Sequence, residues 1–87
     1  MTSIYILQSE KNGKYYTGCT NNLKTRFDEH NKGAVRSTKP NRPWVLKLSQ
    51  EYNDLSKARK VEKRIKELKR RDYIESMIAD GVIKMEL

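Results

Sequence analysis

Residues 2–18 read TSIYILQSEKNGKYYTG, and the period of this stretch decides the fold. Thr2 to Gln8 alternates, with Ile4 and Ile6 on one face and Tyr5 and Leu7 on the other, the pattern of a half-buried strand. Ser9 to Gly13 is polar and ends in Asn12-Gly13, a pair that tolerates positive φ, so a turn is expected there. Lys14 to Gly18 then returns as an antiparallel second strand. A register that sets Gln8 opposite Gly13 also sets Tyr5 opposite Tyr16, two phenols side by side on one face.

Downstream of this hairpin the period changes. Asn21 or Asn22 can cap a helix running to about Lys32, where Gly33 supplies a left-handed stop. Ala34 to Pro43 holds two prolines and reads as a surface loop. Trp44 to Tyr52 reads as a third strand, with Trp44, Leu46 and Leu48 alternating against Val45 and Lys47. Asp54 or Ser56 caps a long basic helix with the core stripe Ala58, Val61, Ile65 and Leu68. A last helix carries Ile74, Met77 and Ile78 before Gly81. A hairpin, a helix, a third strand and two helices make an α+β fold, a small sheet with helices packed on it, and one domain over residues 1–87.

The bulk numbers set the class. A chain of 87 residues buries roughly 60 to 65% of its unfolded surface, so the core is small. Cys19 is the single cysteine, which leaves neither an internal disulfide nor a four-cysteine zinc site, and a reducing cytoplasm fits best. No apolar run nears the roughly 20 residues of a spanning helix, so no membrane association is expected. The net charge of +8 favours a polyanionic partner, nucleic acid first. Nine basic residues stand against two acidic ones between Lys57 and Arg71, so most of the excess sits on one helix. Such a run is either a solvated face or a phosphate-tracking surface, with Lys39, Lys60, Lys63, Arg64 and Lys66 as candidate contacts.

Two charges break the apolar stripes. On the first helix Leu23, Arg26, Phe27 and His30 fall at i, i+3, i+4 and i+7, and on the second Ala58, Val61, Glu62 and Ile65 repeat that spacing. An inward Arg and an inward Glu either neutralise each other or serve a ligand, because an unpaired buried charge costs several kcal/mol.

These residues resemble the GIY-YIG endonuclease family, specifically its small bacterial members. Ser3-Ile4-Tyr5 matches the first tripeptide and Tyr16-Thr17-Gly18 the second, at the family's spacing. The match continues through Thr20, Asn22, Leu23, Arg26, His30, Asn31, Gly33, Thr38, Pro43, Trp44, Leu46, Ala58, Glu62 and Lys66. Ser3 stands where the family's first glycine would be. The loop offers Ser37, Thr38 and Lys39 where some members add a second histidine, and residues 72–80 lack the asparagine that some carry.

The resemblance implies a three-stranded antiparallel sheet flanked by helices, cutting a phosphodiester with one divalent metal. It further implies Tyr5 as the nucleophile-activating tyrosine, Tyr16 as its hydrogen-bonding companion and Arg26 as a phosphate clamp. Glu62 would be the sole protein ligand of the metal, and Gly18 would allow close approach at the end of the second strand. One carboxylate suits Mg²⁺ or Mn²⁺, ions that keep waters and take further oxygens from substrate phosphate. Arg26 suits a phosphoryl transition state through its planar, permanently charged fork. His30 could assist proton transfer or contact phosphate, or be hydrogen-bonded packing. The expected function is a metal-dependent endonuclease acting on DNA. The alternatives are a non-catalytic nucleic-acid-binding module that keeps the fold, and a domain whose basic helix seeks an acidic protein.

Overall fold

A computed structural model describes residues 1–83 of the chain. Its elements are β1 (Thr2–Ser9), β2 (Tyr15–Thr20), α1 (Leu23–Lys32), a short 3₁₀ turn (Lys39–Asn41), β3 (Trp44–Tyr52), α2 (Leu55–Leu68) and α3 (Arg71–Asp80). The strands form one antiparallel sheet in the order β2-β1-β3, so the α+β expectation holds. The single-domain expectation over 1–87 extends to residues 84–87, which lie outside the described residues.

β1 is the central strand, and both of its faces are buried rather than one. Ile4 and Ile6 pack with Leu48 against Ala58, Val61 and Ile65 of α2 and Met77 of α3. On the other face Tyr5 and Leu7 pack with Trp44 against Leu23 and Phe27 of α1. Each such apolar side chain gains about 1.5–3 kcal/mol by leaving water. The alternation in residues 4–7 therefore separates two apolar faces, with Tyr5 as the one polar tip among them.

The hairpin register differs from the expected one by two residues: Tyr5 faces Gly18, and Tyr16 faces Leu7. The cause is the turn. Ser9 Oγ accepts from the backbone N–H groups of Lys11 and Asn12, which lengthens the loop before Ser9 N–H closes it on Lys14 O at 2.8 Å. Gly13 completes the turn at φ +77°. A slip of two preserves the side-chain parity, so Tyr5 and Tyr16 still share a face, diagonally, with ring centroids 6.4 Å apart.

β3 carries a second departure. Ile6 pairs with Leu48 but Leu7 pairs with Leu46, so Lys47 is an extra residue that inverts the strand's parity. Trp44 consequently sits on the Tyr5 face and Leu48 on the Ile6 face, not on one face as simple alternation predicts.

α1 begins at Asn22, whose side chain accepts from Thr25 N–H, and stops at Gly33 in the left-handed region at φ +82°. Its end is tied to the start of β3 by Asn31, which accepts from Trp44 N–H at 2.7 Å and donates to Trp44 O at 3.1 Å. α2 begins at Asp54, capping Ser56 and Lys57 N–H. Leu68, expected in the core, is exposed, at the last residue of α2 before the chain turns off the helix at Lys69, in the left-handed region at φ +49°. The Ala34–Pro43 loop is only partly a surface loop, since Thr38 within it is buried.

Candidate active site

Tyr5, Tyr16, Arg26 and His30 come together on the α1 face of the hairpin. Tyr5 projects from the central strand and is 1% exposed, and its hydroxyl meets His30 Nε2 at 2.9 Å. His30, fully buried on the inner face of α1, stands edge-on to Tyr5 with centroids 5.6 Å apart and lies 5.1 Å from the Tyr16 ring. Its other nitrogen, Nδ1, is 2.8 Å from Thr38 Oγ1. Gly18 lies directly across the ladder from Tyr5, and its lack of a side chain makes room for the Tyr5 hydroxyl.

Arg26 lies one turn before His30 on α1, with its guanidinium beside the Tyr5 phenol. The side chain is 38% exposed, so it stands at the rim and not in the interior. Its ion partner is Glu29, at 3.4 Å one turn along the helix, rather than Glu62. Glu62 comes from the opposite side. α2 packs across β2 and β1 with one flank along the β2 edge, and Lys66 Nζ from that flank lies 5.4 Å over the Tyr16 ring. The same ammonium is 3.2 Å from Glu62 Oε2. The Glu62 side chain is 20% exposed, and its charge is felt by Tyr5 and Cys19. Two helix charges expected to face inward are thus rim residues, each neutralised on its own helix.

The remaining basic candidates divide. Arg59 and Lys66 flank Glu62 at i−3 and i+4, on the side toward the tyrosines. Lys60, Lys63 and Arg64, with Glu67, line a different surface on the outer side of α2, so they are not brought to the site. Lys39 lies in the exposed 3₁₀ turn and its alkyl chain borders Gly33. Arg59 is a residue the charge run alone concealed, because a run does not say which helix face each cation occupies. Beside Arg26 an open cleft of about 490 Å³ is lined by Cys19, Asn22, Thr25, Leu55 and Arg59. It lies within the size range of small-ligand pockets.

The electrostatics assign different burdens to the two titratable groups. Burial pushes the Tyr5 phenol up to about 12, with the neighbouring Arg26 charge pulling the other way and Tyr16 and Glu62 adding to the rise. Tyr5 is therefore a weaker acid than a free phenol, and even less of it is phenolate at neutral pH, because the Arg26 charge does not offset the burial. His30 is held below its ordinary value of 6.5 by burial and then by the Arg26 charge, against a smaller pull from Glu29.

That shift has a measurable consequence, because His30 is the only histidine in the chain. A folded-state value below the unfolded one means that the unfolded chain binds more protons in the interval between them. Stability is therefore complete above about pH 6.5 and declines as acid carries the protein down through the folded-state value, by at most about 1.4 kcal/mol per pH unit. Urea unfolding at pH 7.5, 6.5 and 5.5 is expected to show this fall. A midpoint unchanged across that range would contradict a buried neutral His30.

Among the described residues no three of His, Cys, Asp and Glu gather into a metal cage, so Glu62 is a lone carboxylate. One of its oxygens is engaged by Lys66 and the other takes no hydrogen bond from the described residues. That donor set fits an ion that keeps most of its waters, such as Mg²⁺ or Mn²⁺, and does not fit a structural zinc.

A GIY-YIG catalytic-domain family model matches residues 1–75. A UPF0213 protein of Xanthomonas campestris pv. campestris is 34% identical over 84 residues, covering 95% of this chain and 81% of that one. The UPF0213 protein YhbQ of Escherichia coli is 29% identical over 85 residues, covering 97% and 83%. The solution NMR structure of a UPF0213 protein from Bacillus halodurans superposes with a TM-score of 0.59 at 26% identity, covering 93% of this chain and 87% of that one. Among the described residues, no helix is long and apolar enough to cross a membrane.

Proposed function

The chain belongs to the GIY-YIG family, a nuclease-type family, and from that premise we propose that it is a divalent-metal-dependent endonuclease hydrolysing phosphodiester bonds, with DNA as its principal substrate. The observation that carries the reading is the convergence of Tyr5, Tyr16, Arg26 and His30, with Glu62 reaching the same rim along the β2 edge.

Arg26 is half-exposed and fixed in direction by Glu29, so its fork can take a phosphate oxygen without moving the helix. Its permanent charge offsets the negative charge that grows on the phosphoryl oxygens during attack. Tyr5 takes the proton of the attacking water, and Tyr16, open to solvent on one side, orients that water. Glu62 would hold Mg²⁺ or Mn²⁺, which when bound supplies positive charge to the phosphate. Lys66 neutralises Glu62 when no cation is bound, so that a carboxylate is not left unpaired beside the phenols. Arg59 and Lys66 extend the phosphate-tracking surface from the site along α2, whereas Lys60, Lys63 and Arg64 contribute only long-range attraction.

A panel of plasmid, branched, single-stranded and RNA substrates tests this directly, each incubated with Mg²⁺, with Mn²⁺ and with chelator. Products that require the divalent ion, on DNA more than on RNA, are the expected result. Binding that weakens steeply with salt but yields no divalent-dependent product would replace the nuclease with a non-catalytic nucleic-acid-binding module. The salt dependence of binding across the same panel counts the phosphates neutralised.

A further inference from the structure

Behind the tyrosine pair a buried hydrogen-bonded chain runs inward from Tyr5. Tyr5 Oη meets His30 Nε2 at 2.9 Å, His30 Nδ1 meets Thr38 Oγ1 at 2.8 Å, and Thr38 Oγ1 donates to Val35 O at 3.3 Å. Tyr5, His30 and Thr38 are all at most 1% exposed, so His30 and Thr38 lie behind the Tyr5 hydroxyl, which is the end of the chain nearest the rim. Trp44 Nε1 donates to Thr38 O at 2.9 Å and fixes that residue's backbone.

The proton positions along this chain follow from counting donors. The Tyr5 phenol has one proton to give. Among the described residues its neighbours are Arg26, whose guanidinium only donates, and His30 Nε2, so a phenol proton given within the protein goes to His30 and leaves Nε2 bare. A neutral imidazole with a bare Nε2 carries its proton on Nδ1, and Thr38 Oγ1 must then accept from Nδ1–H. The far end agrees, because the single Thr38 hydroxyl proton goes to Val35 O, which can only accept. This order satisfies every group from Tyr5 to Val35, and no buried side-chain nitrogen or oxygen among the described residues is left without a partner.

We propose that Thr38 is a positioning residue of this site, accepting from Nδ1–H so that His30 presents a bare Nε2 to the Tyr5 hydroxyl. This rests on the endonuclease reading and adds to it the destination of the proton. As the water O–H bond breaks and its oxygen bonds to phosphorus, Tyr5 Oη gains that proton and passes its own to His30 Nε2. The electron pair of the broken P–O bond leaves with the departing alkoxide, which takes a proton from solvent. His30 ends as an imidazolium whose Nδ1–H still donates to Thr38. A phenol held near 12 thereby acts without accumulating as phenolate. The loop that supplies Thr38 thus contributes to the site without exposing a side chain.

The test uses the ¹⁵N-labelled full chain at neutral pH, where the single histidine makes the imidazole signals unambiguous. Long-range ¹H–¹⁵N correlation is expected to show Nδ1 protonated and Nε2 bare in the wild type. Thr38→Val keeps the side-chain shape and removes the acceptor. It is expected to move the proton to Nε2 and to lower kcat about 10- to 100-fold with KM little changed. Thr38→Ser is expected to restore both. A protonated Nε2 in a wild-type protein that cuts DNA would refute the Thr38 assignment and leave the nuclease standing. The bare Nε2 tautomer in a protein that cuts nothing would refute the nuclease reading and Thr38's part in turnover, leaving the hydrogen-bond order intact. A Thr38→Val variant that cuts at the wild-type rate would overturn the positioning role by itself.

Discussion

Glu62→Gln is expected to reduce divalent-dependent cleavage about a thousandfold or more while leaving nucleic-acid binding within a few-fold of wild type. The substitution keeps the length and shape of the side chain and removes only its charge. The apolar face of α2 is formed by Ala58, Val61 and Ile65, which pack on β1 and β2 and do not depend on Glu62, so the fold should survive. What disappears is the carboxylate that α2 brings to the rim. Lys66 loses its partner at 3.2 Å and becomes a free cation beside Tyr16, so binding of a polyanion should if anything strengthen. That opposition between lost turnover and preserved or tighter binding separates a metal-ligand role from a structural one, since an unfolded variant would lose both. Single-turnover cleavage measured across an Mg²⁺ titration, beside a binding isotherm in chelator, reads the two effects apart. A Glu62→Gln protein that cuts as fast as wild type would remove Glu62 from the reaction altogether.

The contrast between Glu62 and the hairpin shows what a linear sequence discloses. Alternation placed Tyr5 and Tyr16 on one face even though the register was wrong by two, because a period of two is blind to an even slip. It failed in β3, where the bulge at Lys47 is a one-residue change that reverses every later side chain. Helical periodicity pointed Arg26 and Glu62 inward, and both proved to be rim residues. Neither charge needed the other, because partners were already present at i+3 and i+4 as Glu29 and Lys66. The family resemblance gave roles to the candidate residues, but the division of the basic helix into a near side with Arg59 and Lys66 and a far side with Lys60, Lys63 and Arg64 needed the packing of α2. Thr38 was among the residues that the resemblance matched, but its contact with His30 was not legible, for a different reason. A loop with two prolines and three basic residues carries the composition of a surface, and nothing local in it marks the one hydroxyl that turns inward to His30.

Gly18→Ala is expected to damage both stability and cleavage, and by a route that can be reversed in a predictable way. A Cβ at this position would lie 2.3 Å from both Cζ and Oη of Tyr5 and 2.9 Å from its Cε1. The backbone at Gly18 is not in the left-handed region, so the demand for glycine comes from the ring across the ladder and not from φ. Neither side can yield cheaply. Tyr5 stands on the central strand, with Tyr16 and His30 against its ring and its hydroxyl held by His30 at 2.9 Å, and Gly18 is buried in the strand that pairs with it. Overpacking of this kind costs about 1–3 kcal/mol, a large share of the 5–15 kcal/mol typical of a small domain. Moving the Tyr5 hydroxyl also breaks the contact with His30 through which the proposed proton transfer runs, so cleavage should fall about a hundredfold or more in protein that remains folded. Tyr5→Phe should not repair the fold of the Gly18→Ala protein, because Cζ is as close as the oxygen. Tyr5→Leu in the same background should recover most of the lost stability and none of the activity, a coupling that a double-mutant cycle in urea would measure. Gly18→Ala protein with wild-type stability and wild-type turnover would mean that the ring is free to leave its place, and with it that the Tyr5–His30 geometry is not what the reaction uses.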